Sequence, residues 1–236
     1  MTAPKVLVGC PTFDGMDYAS EDYARQVKHL SYAQYDIVLV DNSKSDDYKK
    51  KLEKLGFTVL KSPHLDNTVE RVVVARNVLR QYAVDKNYDY LLMLEQDVIP
   101  PRPIVQALLR HKKPVVTGVY YKPFVLNVKF ANGTTKQVKD IRPVLYRFIP
   151  GIKDKLHFCT RKDVIGNFLF RVAAAGLGCM LISKDVFSKV PFRTDGKFFD
   201  DTFFSEDLRA QNIPLFVDTS MKCKHLLLKK PEAIHS

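Results

Sequence analysis

Tyr88-Asp89-Tyr90-Leu91-Leu92-Met93-Leu94-Glu95-Gln96-Asp97-Val98-Ile99-Pro100-Pro101 is the stretch that decides how the rest of the chain is read. Its apolar run from Tyr90 to Leu94 is too short for an ordinary helix. It stops against two acids and then two prolines, which indicates a buried parallel strand ending in an abrupt loop. Carboxylates therefore stand at a strand's carboxyl end, the edge at which open α/β sheets bind ligands. Two acids with one residue between them point the same way if the chain stays extended, and hard carboxylate oxygens so placed suit a divalent cation. The same residues would also serve as solvated charges at a loop entry.

Towards the N-terminus, residues 5–10 form a short β-rich run closed by Pro11-Thr12, and residues 35–40 form a second buried strand ending in Asp41-Asn42-Ser43. Helical spacing of Tyr23, Val27 and Leu30 predicts a helix over residues 21–32 between them. A charged surface helix over 46–55, stopped by Gly56, leads to a third strand over 57–60. Asn67-Thr68-Val69-Glu70 resembles a capping box, so a helix is expected from 68 to about 82, carrying Arg71, Arg76 and Asn77. Beyond the opening stretch, a helix over 104–111 and a strand over 114–121 complete an alternation that predicts a parallel, doubly wound sheet.

From residue 125 to about 150 the pattern changes, and Asn132-Gly133 signals a hairpin and hence an antiparallel excursion. A strand over 168–175 closes on Gly176-Leu177-Gly178, where small residues let backbone approach a ligand or a neighbouring strand. Another strand over 179–183 and a short helix over 184–189 follow. Ser205 reads as an N-cap with Glu206 and Asp207 in the first turn of its helix. A last strand over 214–218 precedes Lys222-Cys223-Lys224-His225 and an apolar, basic tail over 226–236. Neither a repeat nor a low-complexity linker interrupts the 236 residues, so one domain is expected.

Composition is that of a globular chain, 46% apolar and 11% aromatic, and its apolar runs fall short of the ~18 residues of a spanning helix. With Met1 to Lys5 running directly into a core strand, the expectation is a soluble, cytoplasmic protein. The four cysteines, Cys10, Cys159, Cys179 and Cys223, include no C-x-x-C pair, which argues for reduced thiols and against structural zinc. Lys and Arg number 37 against 26 Asp and Glu, an excess of 11 that favours anionic partners. No RNP-type, zinc-finger or basic-zipper pattern accompanies it, so nucleic acid is not the expected partner.

Acids thus recur at Asp41, at Glu95 with Asp97, and at Glu206 with Asp207, and His225 follows the last strand. Taken in order with Val8-Gly9-Cys10-Pro11-Thr12, Val38-Leu39-Val40-Asp41-Asn42-Ser43, Ala75-Arg76-Asn77, Leu92 to Asp97, Gly176 to Ile182, Ser205-Glu206-Asp207 and Lys224-His225, the sequence resembles the glycosyltransferases of the GT-A fold, most closely inverting family 2. The resemblance implies an α/β domain with a mixed, mostly parallel central sheet flanked by helices. Residues 1–121 would be its nucleotide-sugar half and 122–225 its acceptor and catalytic half.

The implied activity is transfer of a sugar from a UDP- or GDP-sugar type donor to the hydroxyl of a glycan, lipid-linked or protein acceptor, with Mn²⁺ or Mg²⁺ as cofactor. Pro11, Thr12 and Asp41 would contact the nucleoside, and Arg76 and Asn77 would lie on the donor side. Glu95-Gln96-Asp97 stands where the family has its D-x-D motif, with Glu in the first acidic position. Glu95 and Gln96 would then face the donor, while Asp97 and His225 would ligate the metal. Asp207 would be the general base, with Glu206 as the variant choice, and Gly176, Leu177 and Gly178 would shape the acceptor pocket. All of this requires Asp97, Asp207 and His225 to converge on one cavity.

Two rivals remain at this point. A nucleotidyltransferase would need a Gly-rich, basic phosphate loop after the first strand, and Gly9 to Gly15 lacks both the glycine density and the lysine. A non-catalytic binding module would account for the basic excess alone. The tail, beginning Leu226-Leu227-Leu228-Lys229-Lys230, is suited to peripheral contact with a membrane surface or to packing on the domain.

Overall fold

Apolar runs that alternate between two buried faces set the architecture. A computed structural model of the protein describes residues 3–129, 133–149, 151–152 and 155–227. Its strands are β1 (Val6–Thr12), β2 (Tyr35–Asp41), β3 (Thr58–Lys61), β4 (Tyr90–Leu94), β5 (Val98–Ile99), β6 (Val115–Val119), β7 (Tyr121–Lys129), β8 (Thr135–Pro143), β9 (Leu145–Phe148), β10 (Leu156–Phe158), β11 (Leu169–Val172), β12 (Ala174–Ala175), β13 (Cys179–Ser183), β14 (Leu215–Lys222) and β15 (Lys224–His225). Its helices are α1 (Ser20–Val27), α2 (Asp47–Lys54), α3 (Thr68–Asp85), α4 (Ile104–Leu109), α5 (Lys184–Phe187) and α6 (Asp200–Ala210).

The central sheet has eight strands in the order β11-β14-β6-β13-β4-β1-β2-β3. Strand β4 lies inside it, its four leucine and methionine side chains fully buried. Leu91 and Met93 point into one core with Ala75 and Leu79 of α3 and Phe204 and Leu208 of α6. Leu92 and Leu94 point into the other, against Tyr23 and Val27 of α1 and Ile104 and Leu108 of α4. An unbroken apolar run is what period-two alternation requires when helices cover both faces, and each such side chain contributes about 1.5–3 kcal/mol on burial.

β1 pairs in parallel with β2 and β4, and β2 with β3, as the alternation of the first half implies. β13 inserts antiparallel between β4 and β6, so the sheet is mixed rather than purely doubly wound. β7 and β8 form the expected hairpin, in register from Tyr121↔Pro143 to Lys129↔Thr135. Asn132 of its turn lies outside the described residues, as do residues 228–236 of the tail.

Several element boundaries differ from the sequence reading, among them the last strand, which runs on to Lys222, and three others bear on the site. The helix expected over 21–32 starts at Ser20, directly after a 3-10 turn at Asp14–Ala19, and ends at Val27. The strand expected over 168–175 is two pieces in different sheets, β11 beside β14 and β12 beside β9. Most consequential, α6 begins at Asp200, so Ser205 is not its cap and Glu206 and Asp207 are not in its first turn. The Ser205 hydroxyl instead donates to the Asp201 carbonyl one turn back at 2.8 Å, and Asp200 and Asp201 occupy the dipole-favoured positions. The cap of α3 is as expected, the Asn67 side chain accepting from the Val69 and Glu70 amides.

Candidate active site

The chain leaves β4 in a turn, the Val98 amide donating to the Glu95 carbonyl at 2.9 Å. That turn sends the three side chains of Glu95-Gln96-Asp97 to different partners, in place of the shared direction an extended strand end would give. Gln96 is buried and spends its amide on the Tyr48 hydroxyl and the Thr12 hydroxyl. Thr12 and Gln96, expected on the donor, are therefore committed to each other and to Tyr48, which locks the loop after β1 to the end of β4.

Asp97 meets His225. Pairing of β15 with β5 sets Val98 opposite His225, and the imidazole Nε2 lies 3.1 Å from Asp97 Oδ2 across 128 residues of chain. His225 Nδ1 donates to the Tyr121 carbonyl at 2.8 Å, so when the ring is neutral its free lone pair is on the nitrogen facing Asp97. Burial opposes charge on His225, yet the Asp97 carboxylate outweighs it and holds the imidazole pKa above its ordinary value. Burial likewise pushes Asp97 up, but the His225 and Tyr18 hydrogen bonds bring it below the usual carboxylate range. The Tyr18 hydroxyl donates to Asp97 Oδ2 at 2.8 Å. Sequence reasoning missed Tyr18, which reaches the site only because the 3-10 turn folds over it.

One carboxylate and one imidazole oriented from behind are a fitting pair of ligands for Mn²⁺, which accepts both oxygen and imidazole nitrogen. Among the described residues no group of three His, Cys, Asp or Glu side chains converges to hold an ion.

Glu95 turns instead to Arg76, whose guanidinium is buried between Glu95 Oε1 and Asp200 Oδ2, each at 2.8 Å. Arg76 Nη1 is buried without a hydrogen-bond partner among the described residues. Burial pushes the Asp200 carboxyl up to about 6 despite the opposing pull of Arg76. A carboxyl raised on folding adds stability that is complete below its unfolded pKa of 3.8 and is lost as pH rises through about 6. The melting temperature of the wild type should therefore fall relative to that of Asp200→Asn between pH 4 and pH 6, which calorimetry at stepped pH will read. Arg76→Met should cost about 3–5 kcal/mol near neutral pH, because it strands two carboxylates. The cost should be smaller at pH 5, where Asp200 holds a proton; an equal loss at both pH values would speak against this account of the triad.

Asn77, expected beside Arg76 on the donor side, faces elsewhere. Its amide exchanges two hydrogen bonds with the backbone of Phe192, at 2.8 and 3.1 Å, and pins that segment to α3. Asp41 is fully buried, accepting from the Ser43 amide and hydroxyl and paired with Lys61 at 2.8 Å. Around it the loops after β1, β2 and β3 meet. The Asn42 amide donates to the Thr12 carbonyl at 2.9 Å, and His64 Nδ1 lies 3.0 Å from the Asn42 carbonyl. Arg71 lies over the half-buried Phe13 ring at 5.9 Å. Asn42 Oδ1 and Ser62 Oγ are buried with no hydrogen-bond partner among the described residues.

Gly176, Leu177 and Gly178 are buried, and a Cβ on Gly176 would sit 2.0 Å from the Tyr120 hydroxyl. The turn therefore admits the Tyr120 phenol, whose oxygen accepts from the Gly178 amide at 3.2 Å. It touches the site through that ring, which meets the His225 ring edge-on at 5.6 Å, and not as an open acceptor wall.

α6 carries both acids of the pair, Glu206 and Asp207. Glu206, with Asp201 and Thr202, lines a cavity of about 280 Å³ walled by Tyr146, Ala174 and Ala175. Asp207, absent from that lining, is in a bidentate ion pair with Arg193 at 2.8 and 2.9 Å, and the same guanidinium lies 3.7 Å from Glu206 Oε2. The structure therefore joins Asp97 to His225 but turns Asp207 away. Asp201, which sequence reasoning passed over, takes a place beside Glu206.

Three solved structures share this arrangement of the chain. GalNAc-T7 with UDP, GalNAc and Mn²⁺ matches at a TM-score of 0.62 and 14% identity, over 94% of this chain and 44% of that one. The mannosyltransferase PcManGT from Pyrobaculum calidifontis in complex with GDP-Man and Mn²⁺ matches at 0.62 and 12%, over 100% of this chain and 59% of that one. S. aureus TarS matches at 0.57 and 14%, over 94% and 37%. The fold is GT-A. No family model matches the sequence, and no curated protein matches it. This GT-A chain spans from about a third to three fifths of the length of those structures. Among its described residues no helix is long and apolar enough to cross a membrane.

Proposed function

We propose that this chain is a metal-dependent glycosyltransferase that moves a sugar from a nucleoside diphosphate donor to an acceptor hydroxyl with inversion at the anomeric carbon. The observation that carries the reading is the Asp97–His225 pair at the carboxyl end of β4, in a fold shared with proteins crystallised with UDP or GDP-Man and Mn²⁺. Mn²⁺ held there would offset the negative charge that builds on the departing diphosphate. Asp97 and His225 would supply its two protein ligands, with Tyr18 and the Tyr121 carbonyl fixing their orientation.

Arg76, whose Nη1 has no hydrogen-bond partner among the described residues, would stand beside the donor sugar, and Glu95 would hold that guanidinium in place. Asn42 Oδ1 and Ser62 Oγ would meet the nucleobase, with Phe13 at the rim. Glu206 is the residue we assign as general base, since it lines the cavity in which an acceptor hydroxyl would be held. As that hydroxyl forms its bond to the anomeric carbon, the bond to the diphosphate oxygen breaks on the opposite face and Glu206 takes the proton. One displacement inverts the centre.

The loop after β1 carries Asp14 and Asp17 and no lysine, which leaves the nucleotidyltransferase reading without a phosphate loop. Incubation with a panel of UDP- and GDP-sugars and Mn²⁺ should release nucleoside diphosphate from one of them, slowly by hydrolysis if no acceptor is added. If none releases or binds, the chain is a binding module and the enzymatic reading fails.

A further inference from the structure

Across Arg209, which lines the Glu206 cavity on one side, a second cleft of about 890 Å³ opens. Arg147 of β9, Arg171 of β11 and Arg209 of α6 line it, and no Asp or Glu does. Aromatic rings hold two of these guanidinium groups, Phe170 under Arg147 at 4.6 Å and Phe148 near Arg209 at 5.9 Å. Arg209 also donates to the Ala173 carbonyl at 2.8 Å, which fixes it on the boundary between the two cavities. Arg147 has one carboxylate partner, Asp163 at 3.3 Å, and its Nε is buried without a hydrogen-bond partner among the described residues. Arg171 is exposed, and its guanidinium makes neither a hydrogen bond nor an ion pair among the described residues.

Three like charges around one cleft repel one another, so an oxyanion seated among them gains what the protein leaves uncompensated. Planar, pre-oriented guanidinium forks match phosphate oxygens bidentately. Glu206 and Arg209 are neighbours on α6, three residues apart (~4.5 Å of rise). We propose that this cleft binds a phosphoryl group carried by the acceptor, and so restricts the acceptor to molecules phosphorylated near the hydroxyl that receives the sugar. The inference rests on the assignment of the Glu206 cavity to the acceptor. The phosphoryl group would belong either to a soluble phosphorylated glycan or polyol or to a phospholipid.

A ³¹P titration of methyl phosphate in metal-free buffer tests it, since the Asp97–His225 pair takes no phosphate without an ion. Wild type is expected to bind, and the double variant Arg147→Gln, Arg171→Gln to bind at least about tenfold more weakly, the equivalent of ~1.4 kcal/mol. Arg171→Gln alone, at a side chain that supports no contact, should weaken binding in the same direction. Arg171→Lys should be intermediate, and Arg25→Gln, on α1, should be unchanged. No binding by wild type, equal binding by the double variant, or an equal loss in Arg25→Gln would overturn the proposal.

Glucose 6-phosphate in the same titration, and co-sedimentation with phosphatidylcholine vesicles with and without phosphatidic acid, separate the two sources. Either one supports the cleft if Arg171→Gln weakens it, and neither does if Arg171→Gln leaves it unchanged. Calorimetry with UDP or GDP and Mn²⁺ runs in parallel. Nucleotide binding without phosphate binding refutes the cleft and leaves the glycosyltransferase reading standing, whereas phosphate binding without nucleotide binding does the reverse.

Discussion

Asp97→Ala is expected to weaken Mn²⁺-dependent binding of the donor nucleotide by at least about 100-fold, since loss even of a group that merely orients a ligand costs 10–100-fold. The reason is local. Asp97 and His225 are 11% and 9% exposed, and they face each other at 3.1 Å at that strand end. Removing the carboxylate leaves one imidazole, too little to fix an ion against a diphosphate. Calorimetry with UDP or GDP, with and without Mn²⁺, reads the effect directly, and unaltered affinity in the presence of Mn²⁺ would exclude Asp97 as a ligand. Tyr18→Phe removes one hydrogen bond to Asp97 Oδ2 and should cost about tenfold in the same measurement.

Glu206→Gln is expected to lower kcat by about 10²–10⁴ while donor affinity holds, because it removes proton acceptance and keeps the shape of the cavity wall. Asp207→Asn breaks the ion pair to Arg193, half-exposed and therefore worth about 1 kcal/mol or less to folding. Its effect on kcat should be several-fold at most. Steady-state kinetics with the donor found by the panel distinguishes the two. If the large loss falls on Asp207→Asn, the base is Asp207, and Arg193 must release that carboxylate in the reacting complex.

Why one acid of the pair was legible and the other was not has a physical answer. β4 could be read from Leu91 to Leu94 because a strand buried on both faces has no polar residue to obscure it, and its closing acids follow from that boundary. The meeting of Asp97 with His225 was implied by the resemblance to the GT-A glycosyltransferases, while the contact itself depends on two-residue strands, β5 and β15, too short to carry a pattern. Tyr18 was invisible for the same reason, lying 79 residues from its partner in a 3-10 turn with no apolar period.

The start of α6 was misplaced because Ser205-Glu206-Asp207 imitates a cap. The aromatic residues before it, Phe203 and Phe204, gave no sign that the helix had begun at Asp200. That shift of six residues, from a cap at Ser205 to one at Phe199, moves the acid pair from the first turn to the second. Asn77 and Gly176 were mistaken for ligand contacts because the groups they serve, the Phe192 backbone and the Tyr120 phenol, are 115 and 56 residues away in the sequence.

The most direct measurement is anomalous scattering at the manganese edge from crystals soaked with UDP or GDP and Mn²⁺. A single peak within about 2.3 Å of an Asp97 carboxylate oxygen and of His225 Nε2, bridged to the diphosphate, is the expected result. A nucleotide bound with manganese elsewhere, or manganese at that pair with no diphosphate reaching it, would contradict the assignment of this strand end as the site of transfer.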